Sequence, residues 1–296
     1  MTKGLVATAT AFLVLLSALL LACFDDGAPA GRDPNVRPAA DSPLQFLQEE
    51  LAQRERWEEF LEKAEVTASE QMVGPEAVTS PWVLTLKRND ITHRALWKNA
   101  QGNMGGYWEG WTYEIAAYRF DKHLGLGMVP PTVERRFRGD RGSCQYWVDN
   151  SILLKDKEAK RIKTPPAKID GWNRAVYLQR LFDNLIANED RHSNQILITP
   201  DWRMILIDHS RSFRTSGKFT KSLIFSAKSP SGPKLMSELP RVVVEKLKAL
   251  DFASVRSVVG DYLTDGEIRG VLLRRELILA EIERLVTVKG EDRVLY

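Results

Sequence analysis

The chain has 296 residues, 44% of them hydrophobic and 27% charged, an ordinary globular composition with enough length for two lobes. Its formal net charge of +3 is too small to argue for nucleic-acid binding. The sequence also lacks zinc-ligand spacing, a helix-turn-helix signal and RNA-binding aromatic motifs, so nucleic acid is not expected as a partner.

The N-terminus stands apart from the rest. Met1-Thr2-Lys3 precedes an apolar run at 5–22, the charged start and hydrophobic centre of a secretory signal. The run ends Leu20-Leu21-Ala22-Cys23, which resembles a bacterial lipobox; in that reading residues 1–22 are removed and Cys23 is acylated. Lipid chains at Cys23 would hold the protein on a membrane, each buried CH₂ contributing about 0.8 kcal/mol. The expected location is then the bacterial cell envelope, outside the cytoplasm. The alternative is an uncleaved anchor, since an apolar run of this length is also near the minimum that spans a bilayer. Residues 23–43, rich in Asp, Pro, Ala and Gly, read as a disordered tether behind the lipidated cysteine. With Cys23 assigned, Cys144 is the remaining cysteine, so no disulfide forms within the domain.

Residues 44–66, within a segment taken as 44–75, read as a charged amphipathic helix with Phe46, Leu47, Leu51, Trp57, Phe60 and Leu61 on its apolar face. Strands at 82–86 and 94–98 then flank the turn Asn89-Asp90. Arg94, Leu96 and Lys98 share one face of the second strand. A lysine ending such a strand could reach nucleotide phosphates; by itself Lys98 reads more readily as a solvated lysine. The hairpin has no glycine, so no Gly-rich phosphate loop is visible. Residues 101–106 read as a flexible link, and 108–123 as a helix with Trp111, Ile115 and Tyr118 on one face and Gly125 near its end. Glu114 borders that face, where its carboxylate is expected to pair with Lys98. Arg135, Arg136, Arg138 and Arg141 crowd a turn around Gly139 and Gly142, either a solvated basic loop or a contact for an anionic substrate or lipid head group. A strand follows at 144–148, and 146–149 is the expected hinge between lobes.

In the second half, 155–163 is a dense mixed-charge run, a loop or short helix. The stretch 181–214 carries the most information. Apolar residues at Ala175, Leu178, Phe182 and Leu185 recur at three- and four-residue steps, so a helix buries one side and ends near Asn188. The polar loop Asp190-Arg191-His192-Ser193-Asn194 follows, then two short apolar strands at 195–199 and 204–207 around Pro200-Asp201. With the turn centred between Asp201 and Trp202, Gln195 is expected opposite Asp208. Two carboxylates, an imidazole and two carboxamides then converge at the hairpin's open end. Phosphoryl transfer needs such a set: an acidic group near the attacking hydroxyl, and hard oxygen ligands for magnesium on the nucleotide phosphates. The alternative is a buried Asp–Arg pair beside a polar hairpin. Residues 209–233 form a polar loop in which Arg211 and Arg214 are candidates for phosphate, and Lys218, Lys221, Lys228 and Lys234 for an acidic substrate or simply for solvent. Helices at 242–250, 252–263 and 265–288 close the chain. The last opens on a Thr264/Glu267 capping box, and Ile268, Val271, Leu272, Leu279, Ile282 and Leu285 line its buried side.

Asp-Arg-His, a short hairpin and then Ile-Asp resembles the catalytic and metal-binding segments of the atypical kinases: phosphatidylinositol 3- and 4-kinases, HipA-type kinases and secretory-pathway casein kinases. The stretch from Tyr113 to Val133, beginning Tyr-Glu-Ile-Ala-Ala-Tyr-Arg-Phe, resembles the matching helix and strand of bacterial members. The resemblance implies a two-lobed α+β, atypical-kinase-like fold, with a small β-rich lobe at about 76–149 and a mainly helical lobe at about 150–290. It implies ATP and Mg²⁺ or Mn²⁺ as cofactors, with Lys98 on the phosphates and oriented by Glu114, Asp190 as the catalytic aspartate, and His192 as a second group for proton handling. Asp208 would be the main metal ligand. These families place an Asn five residues after the Asp, whereas here Gln195 holds that place and Asn194 is one early, so either is the candidate second ligand. The partner would be a nucleotide and a hydroxyl-bearing protein, lipid or small molecule. A catalytically silent kinase-like binding lipoprotein and an AMP transferase on the same fold are the alternatives.

Overall fold

The computed structural model describes residues 45–74, 79–229, 232–234 and 236–296. The expected signal, Cys23 and tether lie outside them. Among the described residues no helix is long and apolar enough to cross a membrane.

The expected N-terminal helix forms as two pieces, α1 (Gln48–Ala52) and α2 (Arg54–Lys63), interrupted at Gln53. It also stops earlier than its amphipathic pattern suggests. Ala64 turns the chain to extended backbone, and residues that include Val66 and Thr67 enter a strand, β1 (Glu65–Gln71), so the sheet begins well before residue 76. β2 (Trp82–Arg88) and β3 (Ile91–Lys98) form the expected hairpin, with Asn89 taking the positive φ of 54° that its two-residue turn requires. The link at 101–106 is not loose. β4 (Gln101–Met104) and β5 (Tyr107–Gly110) pair through Gly105 and Gly106, at φ 59° and 87°, the conformation that closes a two-residue hairpin without splaying its strands. Helix α3 (Trp111–Leu124) therefore starts at Trp111, directly from β5.

β6 (Thr132–Phe137) and β7 (Asp140–Tyr146) complete an antiparallel five-stranded sheet of order β1-β2-β3-β7-β6. Leu84, Leu86, Ala95 and Trp97 alternate onto the face that packs on Phe60 and Leu61 of α2. The opposite parity of β3 leaves Arg94, Leu96 and Lys98 for the other face. Gly142 lets β7 lie close against β3, since a Cβ there would stand 2.4 Å from the carbonyl oxygen of Lys98. Arg135 belongs to this framework: its guanidinium bonds the carbonyls of Leu61 and Ala64 at the end of α2, so it is not a solvated loop arginine. Arg136 is exposed and bonds the carbonyl of Gly139 at 3.2 Å. Cys144 is buried and unpaired in a disulfide, and burial pushes its thiol up to about 12.

The second half is mainly helical. β8 (Ile152–Leu153), α4 (Leu154–Ala159) and α5 (Ile169–Ile186) precede the hairpin β9 (Ile196–Ile198) and β10 (Met204–Leu206), which joins β8 in a three-stranded sheet. Then come α6 (Gly217–Thr220), α7 (Arg241–Lys248), α8 (Phe252–Val259) and α9 (Asp265–Lys289). Ala175, Leu178, Phe182 and Leu185 of α5 are all buried, packed in one core with Ile268, Val271, Ile278, Ile282 and Leu285 of α9. The Thr264/Glu267 capping box is formed, with the Glu267 amide 3.3 Å from Thr264 Oγ1. One residue of α9 is more than scaffold. Arg274 is buried with no carboxylate partner among the described residues, donating to the carbonyls of Leu185 at 2.8 Å and Arg214 at 2.7 Å, and burial lowers its pKa to about 10. It ties the end of α5 to the segment that follows β10.

Arg135→Met is expected to destabilise the protein by about 1.5 to 3 kcal/mol, because two charge-assisted hydrogen bonds to the end of α2 are lost. Arg136→Met should stay within about 0.5 kcal/mol of the parent. Urea unfolding of both variants tests the contrast, and equal costs would contradict the docking role of Arg135.

Candidate active site

Three elements meet around the Lys98 ammonium. The end of β3 delivers it to Glu114 Oε1 of α3 at 2.8 Å and to Asp208 Oδ1, just beyond β10, at 2.7 Å. Burial disfavours the lysine charge, but the carboxylates of Asp208 and Glu114 outweigh it and raise the Lys98 pKa above its ordinary value. Glu114 is buried too, and the opposing charge of Lys98, with help from His209, holds its carboxyl far below the usual range. Its second oxygen accepts the backbone N–H of His209 at 2.9 Å. Asp208 has φ of 60°, a left-handed conformation that Asp tolerates at a cost of roughly 1 kcal/mol. In that conformation its carboxylate reaches Lys98 while the next amide reaches Glu114. Ser210 Oγ adds a bond to Asp208 Oδ1 at 3.1 Å. The His209 ring lies fully buried against Phe182, and burial lowers its pKa.

Across the cleft, the loop after α5 is built on Arg191. Its guanidinium bonds both oxygens of Asp183 at 3.0 and 3.1 Å and the carbonyls of Gln195 at 2.9 Å and Ile207 at 2.6 Å. The buried Asp–Arg pair is thus present, and it serves as the post that holds both ends of the hairpin. Asp190 is left beside the cleft: its amide bonds Asn188 Oδ1 at 3.2 Å, and its Oδ2 lies 3.2 Å from Gln195 Nε2 and 3.2 Å from an Arg211 nitrogen. His192 Nε2 is 3.9 Å from the same oxygen, outside hydrogen-bond range, and its Nδ1 accepts the Asn194 amide at 3.3 Å.

The hairpin register differs from expectation by one residue. Ile198 pairs with Met204 and Leu206 with Ile196, and the Ile207 amide bonds the Gln195 carbonyl at 3.1 Å, so Gln195 faces Ile207 and not Asp208. The loop has three residues, Pro200, Asp201 and Trp202, with Trp202 at φ 70°, and closes through the Thr199 amide on the Arg203 carbonyl at 3.1 Å. An odd loop length moves the pairing by one position.

A cavity of about 1100 Å³ separates the two halves. Asp190, His192, Asn194, Gln195 and Asp208 all border it, whereas Lys98 and Glu114 sit behind Asp208. The expected hinge borders it as well, through Tyr146, Trp147 and Val148. So do Met72, Val73 and Gly74 after β1 and Thr79 ahead of β2, which the sequence conceals because β1 continues the charged character of the helix before it. Glu109 is the other unforeseen member, and Arg211, a phosphate candidate in the sequence, is instead paired with it. Arg211 Nε bonds Glu109 Oε1 at 2.6 Å, and its guanidinium lies over the Tyr107 ring at 4.4 Å. Arg214 pairs with Glu189 at 2.7 Å and reaches the Trp108 carbonyl at 2.8 Å. Glu109 falls in a segment whose strand character shows only once its turn is seen to close.

Among the described residues no group of three or more His, Cys, Asp or Glu is arranged to hold a metal ion. The donor set nevertheless suits a hard cation completed by phosphate oxygens. Asp208 keeps 38% of its side chain exposed, and Gln195 Oε1 is buried at the cleft without a hydrogen-bond partner.

No family model matches the chain, and no curated protein matches it by sequence. Solved structures do match in shape. The chain is similar to hydra Fam20 with sugar, at 13% identity and TM-score 0.59, over 83% of this chain and 92% of that one. It is similar to the Golgi casein kinase at 15% identity and TM-score 0.58, over 82% and 77% of the two chains. A Golgi casein kinase with Mn/ADP bound gives 14% identity and TM-score 0.55, over 82% and 78%. The fold is atypical-kinase-like.

Arg191→Met should lower the unfolding free energy by about 3 to 5 kcal/mol, because Asp183 would be left buried without its cation. Asp190→Ala should change it by no more than about 1 kcal/mol, since that carboxylate borders the cleft. Chemical denaturation of the two variants separates the loop's post from the group it presents.

Proposed function

We propose that the chain is an ATP- and divalent-cation-dependent phosphotransferase that moves the γ-phosphoryl group to a hydroxyl. The observation that carries this reading is Lys98, held at 2.8 Å from Glu114 and 2.7 Å from Asp208, with Asp190 on the other side of the same cleft. Lys98 is the cation for the nucleotide phosphates, and Glu114 keeps it aimed when Asp208 turns to other partners. Asp208 and Gln195, through its unpartnered Oε1, would hold Mg²⁺ or Mn²⁺, with Asn194 on the same loop as a further oxygen donor. Such an ion, when bound, neutralises charge on the phosphates.

Asp190 orients the acceptor hydroxyl and takes its proton. Its Oδ2 is the oxygen occupied by Gln195 and Arg211, which leaves Oδ1 for the acceptor. His192, with Nδ1 accepting the Asn194 amide, carries its proton on Nε2 when neutral and presents it toward Asp190, an assisting group and not the base. The rate comes chiefly from positioning and charge neutralisation. The Golgi casein kinase structure with Mn/ADP supports a nucleotide and a divalent ion on this fold. Attachment to the bacterial cell envelope through a lipid at Cys23 is part of the proposal and rests on the N-terminal sequence.

ATP labelled separately at the α and γ positions tests the reading. Label from γ on an acceptor is the expected result; label from α means AMP transfer, and neither label means a binding module. Asp208→Ala is expected to weaken Mg²⁺-dependent ATP binding and abolish turnover. Asp190→Ala should keep ATP affinity within a few-fold and lower turnover by about two to four orders of magnitude. Equal Mg²⁺-ATP affinity in both variants and the parent would remove Asp208 from the metal site.

A further inference from the structure

Glu109 is only 2% exposed, and no element of the proposed chemistry uses it. Its Oε1 accepts from Arg211 Nε at 2.6 Å, its Oε2 is buried without a partner, and it borders the cleft. A carboxylate buried so fully is costly unless a cation offsets it. The cation supplied is Arg211, whose Nη1 stands 3.2 Å from Asp190 Oδ2. The arginine is gripped on three sides, by Glu109, by Asp190 and by the Tyr107 ring beneath it at 4.4 Å. Its own segment is pinned as well, because the Ser210 carbonyl accepts the Gly110 amide at 3.0 Å.

We infer that Glu109 and Arg211 form a positioning pair for Asp190, which fixes its Oδ2 and turns Oδ1 toward the acceptor. This rests on the phosphotransferase reading and deepens it. Glu109 lies near the end of β5, and Glu114 lies one helical turn into α3, which continues from β5 without a break. The single segment β5–α3 thus holds the nucleotide side through Glu114 and Lys98, and the acceptor side through Glu109, Arg211 and Asp190. A shift of that segment would misalign both reactants together, so the two halves of the site are assembled or lost as one.

The test uses the full-length chain and γ-labelled Mg²⁺-ATP, with water and the chain itself as acceptors. Glu109→Gln and Arg211→Met are expected to lower kcat by roughly 10- to 100-fold, the effect of a misplaced reacting group, with KM for ATP within about twofold of the parent. The double variant should be no slower than Arg211→Met alone, because both substitutions break one linkage. Added guanidinium should restore part of the rate of Arg211→Ala, while an equal concentration of sodium chloride should not. Unchanged kcat in Glu109→Gln would overturn the inference. So would additive losses, or a rise in KM for ATP that matches the fall in kcat, the pattern of a general structural role. If the parent itself transfers no γ label, the phosphotransferase reading fails and this inference with it; an active parent with indifferent variants overturns the inference alone.

Discussion

A buried ammonium shared by two carboxylates is the constraint around which this molecule is arranged. Lys98, Glu114 and Asp208 come from three separate elements, and the two buried charges, Lys98 and Glu114, are tolerable near the core only together. Removing either Lys98 or Glu114 leaves an uncompensated buried charge, at a cost of about 3 to 5 kcal/mol. The sheet, α3 and the turn after β10 are therefore held in one relative placement by electrostatics as much as by packing. The backbone bond from His209 to Glu114 makes the arrangement directional: the carboxylate that aims the lysine also orients the residue next to Asp208.

The same device recurs wherever loop backbone must be fixed beside the cleft. Arg191 satisfies two loop carbonyls and the buried Asp183, and Arg274 satisfies the carbonyl at the end of α5 and that of Arg214. Arg135 does so at the end of α2. Arginine suits this task because its planar fork offers several donors in fixed directions and stays charged when buried. The loops around the site have little regular structure of their own, so these buried guanidinium groups replace the hydrogen bonds that a helix or sheet would supply. The apolar core beneath, α5 against α9, gives the rigid floor on which that loop network rests.

The fold is shared with proteins only 13 to 15% identical to this chain. A core of the right volume and pattern is enough to specify such a fold, and many sequences supply one. Function, by contrast, depends on the chemistry of individual side chains and not on the shape of the fold.

The sequence alone determined those features whose cause is local. The three- and four-residue steps of α5 and α9 express burial of one helix face, the Thr264/Glu267 cap is written within four residues, and the β2–β3 hairpin follows from alternation around Asn89-Asp90. The order of Asp190, the hairpin and Asp208 was legible for the same reason, as was the parity that sends Lys98 to the face away from Trp97. Tertiary structure decided the rest. β1 was hidden because an exposed edge strand carries no burial pattern to read, and its residues continue the charged character of α2. The β4–β5 hairpin was hidden because its strands are short and carry no alternating apolar pattern, and its glycines look like slack until both are seen at positive φ. The register at Gln195 depended on Trp202 adopting a left-handed backbone, which nothing in its side chain announces. The meeting of Glu109 with Arg211 and Asp190 depends on where β5 is docked, and that docking is fixed by contacts with residues far along the chain.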